Sequence, residues 1–204
     1  MAEVSEVHAL TGAVLSDALD DVARLRIAVF RAWPYLYDGN LDYERRYLQS
    51  YRDSDKAIVV GVFDGDRLVG ASTGAPLTDH ADDFGAAFDG SGLDVSEIFY
   101  CAESVLLPDY RGQGIGHKFF DLREAHAIRL GFTKCAFCSV LRAADHPMRP
   151  ENYRPLDTFW RARGYDLLPG AIAQFSWKDV GAEKETMKPL QFWIRDLPKS
   201  ESQV

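Results

Sequence analysis

The 204-residue sequence predicts an α/β fold with a mixed, mostly antiparallel central sheet of about six to seven strands and helices on both faces. Three observations support this expectation. The length suits one substantial core, so residues 1–204 are expected to form a single domain. The composition, 47% hydrophobic and 26% charged, is typical of a globular protein. Strand-like runs alternate with helical patterns, and the last two expected elements of the chain are both strands. This order indicates a mixed sheet covered by helices.

The N-terminal third predicts two helices followed by a hairpin. Ser16 can cap a helix whose apolar residues recur at steps of four, three and four. That helix should end near Trp33, because Pro34 disfavours helical geometry in the residue before it. A second helix is expected from about Leu41 to Tyr51. Residues 57–75 then form a hairpin with an Asp-Gly tip.

A long acidic connection, residues 76–96, separates this hairpin from the strongest strand pattern. A short helix is expected within it, from Thr78. Its acidity predicts a solvated surface or a rim that attracts a cationic substrate. The strand that follows, residues 97–107, reads EIFYCAESVLL and is nearly all apolar, so it should be central and covered on both faces.

The remaining chain predicts a second alternation of helices and strands. A glycine-rich loop leads into a helix that Gly131 is placed to end. Gly164 closes a shorter helix in the same way. The expected elements are helix 114–130, strand 134–142, helix 156–163, strands 171–178 and 189–196, and a frayed tail at 197–204.

The charge balance and the cysteines argue against several functions. The net charge of −8 disfavours nucleic acid as a partner, because phosphate binding needs a concentrated Lys/Arg surface. No apolar run reaches membrane-spanning length and no signal-like segment begins the chain, so we expect a cytoplasmic protein without membrane contact. Cys101, Cys135 and Cys138 fit reduced thiols, and no metal site is expected because no second Cys/His pair stands at ligand spacing. The sequence is compatible with a homodimer.

The glycine-rich loop predicts an anion site. A strand that passes through glycines into a helix N-terminus brings free backbone amides together at the positive end of the helix dipole. The dinucleotide and P-loop spacings both fail, because His117 stands where each needs a further glycine. The pattern that does occur is Arg-x-x-Gly-x-Gly, at Arg111, Gly114 and Gly116, three residues after Pro108.

This pattern resembles the acetyl-CoA pyrophosphate motif of the GNAT superfamily of N-acetyltransferases, and the element order from Glu97 to Tyr165 also resembles that family. The resemblance implies acetyl-CoA as co-substrate, with its pantetheine arm between two diverging strands. Backbone contacts to that arm are implied for Val105, Leu106 and Leu107. Pyrophosphate contacts are implied for the amides of Arg111, Gly112, Gln113, Gly114, Ile115, Gly116 and His117.

Glu103 is the candidate base that the resemblance implies. Strict alternation along the strand puts it on the face shared by Cys101 and Val105. A carboxylate in an apolar strand must be paired or have a raised pKa, because burying it alone costs several kcal/mol. A catalytic base or substrate contact, and a structural anchor held by an arginine or backbone donors, therefore both remain open.

The proton donor departs from the family pattern. Many family members carry a tyrosine four residues before the glycine that closes the short helix, and here that residue is Trp160. Indole cannot protonate a thiolate, although it can pack beside the cofactor thioester. Tyr153 is the substitute candidate, with Cys138 or water as alternatives.

The connection between the first two helices is expected to wall the acceptor site, as in the family. It combines aromatic residues with carboxylates, a composition that suits a cationic amine. Tyr35 and Tyr37 are the predicted substrate contacts. The predicted function is transfer of an acetyl group from acetyl-CoA to a primary amine of a small molecule or peptide by direct attack. The alternatives are a non-catalytic acyl-CoA-binding sensor or interaction protein with the same fold, and transfer of another acyl group.

Overall fold

The computed structural model describes residues 6–198. Within this range the chain forms an eight-stranded sheet and five α-helices. The strands are β1 Glu6–Leu10, β2 Ile58–Asp64, β3 Arg67–Pro76, β4 Ile98–Tyr100, β5 Ser104–Leu106, β6 Lys134–Val140, β7 Asp166–Lys178 and β8 Glu185–Asp196. The helices are α1 Gly12–Phe30, α2 Leu41–Asp53, α3 Ala81–Phe84, α4 Ile115–Arg129 and α5 Asp157–Ala162.

The sheet has the order β1-β2-β3-β4-β6-β8-β7, and β5 pairs with β3 beside β4. Every pairing is antiparallel except that of β4 with β6. The mixed, mostly antiparallel sheet is therefore confirmed. It exceeds the six to seven strands expected, because β1 pairs along the edge of β2 and the single strand expected at 97–107 is two short strands.

Helices cover both faces of the sheet, as predicted. On one face, α4 packs Phe119 and Phe120 against a cluster that includes Phe99 and Phe137. On the other, α1 and α2 pack against β2, β3 and β5. The short helix α3 covers the same second face, farther along the sheet, over β4, β6 and β8.

Three predicted boundaries are wrong. Helix α1 begins at Gly12, after an extended Thr11, so Ser16 is not its cap; the Ser16 hydroxyl instead donates to the Gly12 carbonyl inside the helix. The helix also ends at Phe30, before the predicted end at Trp33. Leu197 is buried and its amide donates to the Thr133 carbonyl, so the predicted frayed tail does not begin there. Residues 199–204 of that tail lie outside the described residues.

A β-bulge separates β4 from β5. The amide of Ala102 donates to the Thr73 carbonyl at 3.0 Å, and the Thr73 amide donates to the Glu103 carbonyl at 3.1 Å. Ala102 and Glu103 thus both lie opposite the single residue Thr73, which breaks the alternation of side chains along the strand. Cys101 lies on the α4 face, whereas Glu103 and Val105 lie on the α1/α2 face. The prediction that Glu103 shares a face with Cys101 is therefore wrong, and the prediction that it shares one with Val105 is correct.

Arg123 of α4 supports this bulge from the opposite face of the sheet. One guanidinium nitrogen, Nη1, donates to the carbonyls of Thr73 at 3.1 Å and Glu103 at 2.9 Å. The other, Nη2, donates to the Ser104 hydroxyl at 2.9 Å. Because Arg123 is buried, this charge-assisted contact fixes the backbone that carries Glu103.

Candidate active site

Strands β5 and β6 diverge beyond the bulge. Just after β4, the amide of Cys101 makes the last hydrogen bond of the described β4–β6 pairing, to the Ala136 carbonyl at 2.8 Å. Strand β5 then stays with β3, while β6 continues along β8. The divergence leaves an open gap between two strand edges, the geometry that the resemblance implies for the pantetheine arm.

The backbone amides of the three residues predicted to contact that arm, Val105, Leu106 and Leu107, do not all face the gap. The Leu107 amide donates to the Val69 carbonyl of β3. Two residues before Leu107, Val105 lies opposite Ala71 of β3 in the same register. Hydrogen-bonded and non-bonded pairs alternate in an antiparallel ladder, so the amide of Leu106, and that of Ser104 before it, points into the gap.

The glycine-rich loop has the form of an anion cradle. Gly112 and Gly114 have φ values of 76° and 77°, in the left-handed region that favours glycine. In the described part of the chain, no backbone carbonyl accepts from the amides of residues 112–116. Two amides from the predicted set are occupied: that of Arg111 donates to the Pro108 carbonyl, and that of His117 to the Gly114 carbonyl. The free amides stand at the N-terminus of α4 and fit a pyrophosphate.

A cavity of about 620 Å³ opens on the α1/α2 face. Its floor is formed by the buried residues Tyr100, Glu103 and Cys138, where β5 and β6 begin to diverge. Its mouth includes exposed Asp83 and Glu185. Tyr35 and Tyr37 both line the cavity, so the predicted substrate residues and Glu103 belong to one site.

Glu103 is anchored by Arg26, which is not among the residues predicted from the sequence. The guanidinium of Arg26 is paired with the carboxylates of Glu103 and Glu44, and all three side chains are buried. Tyr47 donates its hydroxyl to Glu103 Oε2 at 3.1 Å, and its ring lies 4.3 Å from the centre of the Arg26 guanidinium. Burial alone lowers the pKa of Arg26, but the Glu103 and Glu44 charges outweigh it and raise this pKa well above its usual value.

One sequence signal pointed to Arg26. It lies four residues after Val22 and four before Phe30, so it falls on the apolar side of α1. A charge in that position needs a buried partner. Because Arg26 stands among apolar residues, their periodicity alone does not single it out.

Trp160, at the usual tyrosine position, and Tyr153, the predicted donor, lie in different places. Trp160 packs against Phe137 and Trp193, with ring centroids 5.0 and 5.2 Å apart. Tyr153 packs on Trp33 at 5.9 Å, and its side chain is not among the residues that line the cavity.

A different hydroxyl, that of Tyr100, lies at the cavity floor 3.2 Å from Cys138 Sγ. Burial raises the pKa of Tyr100 well above its usual value and that of Cys138 to about 12, so both groups are protonated at neutral pH. Sequence reasoning missed Tyr100 because a tyrosine in an apolar strand is typical of core packing.

Arg142, just after β6, fixes the aromatic wall of the cavity. Its guanidinium donates to the carbonyls of Pro34 and Tyr35 and to the Asp179 carboxylate, at 2.6–2.9 Å. The indole of Trp177 donates to the same Tyr35 carbonyl at 3.0 Å. These hydrogen bonds therefore hold the connection between α1 and α2 against the ends of β6 and β7.

A family model described as the acetyltransferase (GNAT) family matches residues 22–150. No curated protein matches the chain. Across the described residues, no helix is both long and apolar enough to cross a membrane.

Solved structures share the fold at low sequence identity. A ribosomal-protein-alanine N-acetyltransferase from Brucella melitensis superposes with a TM-score of 0.59 at 12% identity, covering 95% of this chain and 100% of that one. A putative acetyltransferase from Salmonella typhimurium, solved with its cofactor acetyl-CoA, gives 0.58 at 11% identity, covering 97% and 96%. A GCN5-related N-acetyltransferase from Kribbella flavida gives 0.57 at 14% identity, covering 94% and 97%.

Proposed function

Because the chain belongs to the acetyltransferase (GNAT) family, we propose that it transfers the acetyl group of acetyl-CoA to a primary amine of a small molecule or peptide by direct attack. Acetyl-CoA is the co-substrate and, when bound, supplies an activated acetyl thioester. One observation carries the proposal: Glu103 lies on the floor of the cavity at the bulge where β5 and β6 diverge. An amine in the cavity and a thioester in the gap would therefore meet beside a carboxylate.

Glu103 takes a proton from the bound ammonium group, which frees the nitrogen lone pair for attack. Arg26 and Tyr47 hold the carboxylate in place, so its orientation costs little when substrate binds. The amides of Ser104 and Leu106 face the gap and supply donors for the thioester oxygen and the pantetheine arm. Free amides of residues 112–116 hold the pyrophosphate.

Tyr100 is the proton donor that we assign to the departing sulfur. Its hydroxyl lies on the cavity floor beside Cys138, on the strand that leads into the bulge. Tyr153, the donor predicted from the sequence, packs on Trp33 and is not among the residues that line the cavity. Burial keeps the Tyr100 hydroxyl protonated, so a proton is available when the thiolate leaves.

The cavity favours a cationic acceptor. Its aromatic walls include Tyr35, Tyr37 and Trp177, whose ring faces attract an ammonium group. Carboxylates outnumber cations among its lining residues, which comprise Asp38, Glu44, Asp83, Glu103 and Glu185 against Arg26, Arg46 and Lys178. An acceptor that carries net negative charge would lose its hydration without a matching partner.

Two measurements test this function. Calorimetry with acetyl-CoA and with CoA comes first, and no binding of either would contradict the proposal. A thiol-release assay then compares polyamines, amino acids, aminoglycosides and peptide N-termini as acceptors. The Glu103→Gln variant should lose turnover with every acceptor that the wild type uses. Glu97→Gln is the matched control, because Glu97 is exposed and is not among the cavity residues.

A second candidate is an acyl-CoA-binding sensor or interaction protein without turnover. The observations that favour it are Trp160 at the usual tyrosine position and the engagement of Glu103 by Arg26. This reading predicts tight acetyl-CoA binding with no thiol release from any acceptor. Transfer of another acyl group predicts instead that propionyl-CoA or a longer acyl-CoA gives faster thiol release than acetyl-CoA.

A further inference from the structure

A continuous chain of hydrogen-bonding side chains runs from Glu103 to His80. The Tyr47 hydroxyl donates to Glu103 Oε2 at 3.1 Å. The Tyr47 and Tyr51 hydroxyls are 2.9 Å apart, and the Tyr51 hydroxyl is 3.3 Å from His80 Nε2. Tyr51 and His80 are only 2% and 8% exposed, so bulk water does not compete strongly for these contacts.

Beyond Glu103, two separate elements build this chain of side chains. Tyr47 and Tyr51 lie one turn apart on α2, which places their hydroxyls side by side. His80 ends a 3₁₀ turn, Leu77–His80, that follows β3. The turn belongs to the acidic connection, whose composition pointed only to a solvated surface or a rim. The fold brings its one histidine against the second tyrosine of α2.

The reaction must release a proton from the cavity. This step rests on the proposed function, in which an ammonium substrate becomes an amide. Conversion of the ammonium group to an amide removes two protons from nitrogen as the C–N bond forms and the thioester C–S bond breaks. One of them replaces the proton that Tyr100 gives to the departing sulfur, and the other goes to solvent. Arg26, although it contacts Glu103, cannot take this second proton because a guanidinium is already protonated.

We propose that His80 is the terminal acceptor of the proton that Glu103 takes from the substrate, with Tyr47 and Tyr51 as the relay. Protonated Glu103 passes its proton to the Tyr47 oxygen as Tyr47 passes its own to Tyr51. Tyr51 in turn passes a proton to His80 Nε2, and the imidazolium then releases a proton to solvent. Each tyrosine gains and loses one proton, so both end the cycle unchanged.

The surroundings of His80 suit this role. Burial lowers its pKa below the ordinary value, so the resting imidazole is neutral at neutral pH and can accept a proton. The charges of Glu103, Asp83 and Asp79 act in the opposite direction and favour the imidazolium that forms. Of the other titratable groups, Tyr51 contacts its Nε2 from α2 and Tyr100 packs against its ring from β4, at 5.4 Å.

The test measures kcat and KM between about pH 5 and pH 9 for wild type, His80→Gln and Tyr51→Phe, with the best amine of the acceptor panel. Both variants should lower kcat by roughly tenfold or more, with an unchanged KM for acetyl-CoA. Wild-type activity should fall as pH drops through the His80 pKa, because an imidazolium cannot accept a proton. That acid limb should move or disappear in both variants.

His126→Gln is the matched control. Burial also lowers the pKa of His126, and its Nε2 contacts the Lys56 carbonyl at 2.9 Å, but it lies on α4 across the sheet. It should keep the wild-type pH profile. Tyr51→Phe retains the buried ring, so it carries the test if His80→Gln fails to fold. An unchanged kcat and acid limb in Tyr51→Phe would overturn the relay.

A readout without turnover separates failure of the relay from failure of the proposed function. If wild type acetylates no amine, the proposed function fails. The His80 imidazole is then titrated by NMR in wild type, Glu103→Gln and Tyr51→Phe. The relay requires a lower midpoint in Glu103→Gln, because a negative charge coupled to His80 is lost, and an altered midpoint in Tyr51→Phe. Unchanged midpoints in both variants would overturn it.

Discussion

Arg26→Met removes the cation that lies between two buried carboxylates. Glu44 and Glu103 are 0% and 9% exposed, and both are paired with the Arg26 guanidinium. Methionine keeps much of the aliphatic stem of arginine, so the packing against Phe30 and Tyr47 is largely retained. The variant therefore tests the charge of Arg26 more than its volume.

The expected loss of stability follows from this burial. Removing one partner of a buried ion pair costs about 3–5 kcal/mol, because the remaining charge is left uncompensated. Here two carboxylates lose their cation, so we expect a loss toward the upper end of that range. Glu44→Gln, in contrast, leaves one cation with one carboxylate and exchanges an ion pair for a hydrogen bond from the Arg26 guanidinium to a neutral amide oxygen. It should cost about 1 kcal/mol.

Urea denaturation at neutral pH measures both losses through the midpoint, with an unchanged slope as the check on two-state unfolding. Adding Glu44→Gln to Arg26→Met should recover part of the lost stability, because one of the unpaired charges is then removed. A loss of less than about 1 kcal/mol in Arg26→Met would contradict the expected cost of unpairing two buried carboxylates, as would further destabilisation of the Arg26→Met protein by Glu44→Gln.

Four further outcomes are expected. Glu103→Gln should lower kcat by roughly 10²- to 10⁴-fold while calorimetry gives unchanged acetyl-CoA binding, and equal turnover would exclude Glu103 as the base. Gly114→Ala should weaken acetyl-CoA binding in calorimetry, because a φ of 77° is strained for alanine; Gly85→Ala, at a φ of −55°, is the control and should bind normally. Asp83→Asn combined with Glu185→Gln should raise KM for cationic amines by roughly two- to fivefold, less so at high salt, and an unchanged KM would exclude these carboxylates from substrate recognition. Cys138, with a pKa of about 12, should resist alkylation at neutral pH and react faster as pH rises toward that value, whereas rapid labelling of the folded protein at neutral pH would contradict its burial.

The elements that could be predicted from sequence depend on neighbours along the chain. Helix α4 and the loop before it follow from glycine conformation and helix capping, which act over a few residues. The hairpin of β2 and β3 follows from apolar runs around an Asp-Gly turn. For these segments, the local free-energy preference and the tertiary structure agree, so reading the sequence is sufficient.

The bulge beside Glu103 could not be read in the same way. It depends on two hydrogen bonds to Thr73, which is distant in sequence. The Thr73 carbonyl accepts from the Ala102 amide, and the Thr73 amide donates to the Glu103 carbonyl. Arg123, from a helix on the other face, supports the carbonyls at that point. A shift of one residue changes which face a strand side chain occupies, so alternation alone placed Cys101 and Glu103 together.

By itself, the sequence determined the α/β class of the fold, the glycine-rich loop that leads into α4 and the placing of a carboxylate in a central apolar strand, because each depends on composition and short-range spacing. Only the tertiary structure decided what that carboxylate contacts. Arg26, Tyr47 and His80 come from different elements, and their contacts with Glu103 and Tyr51 form only when α1, α2 and the segment after β3 pack on one face of the sheet. Hydrogen bonds and ion pairs act over a few ångströms in space, whatever the separation of their residues along the chain.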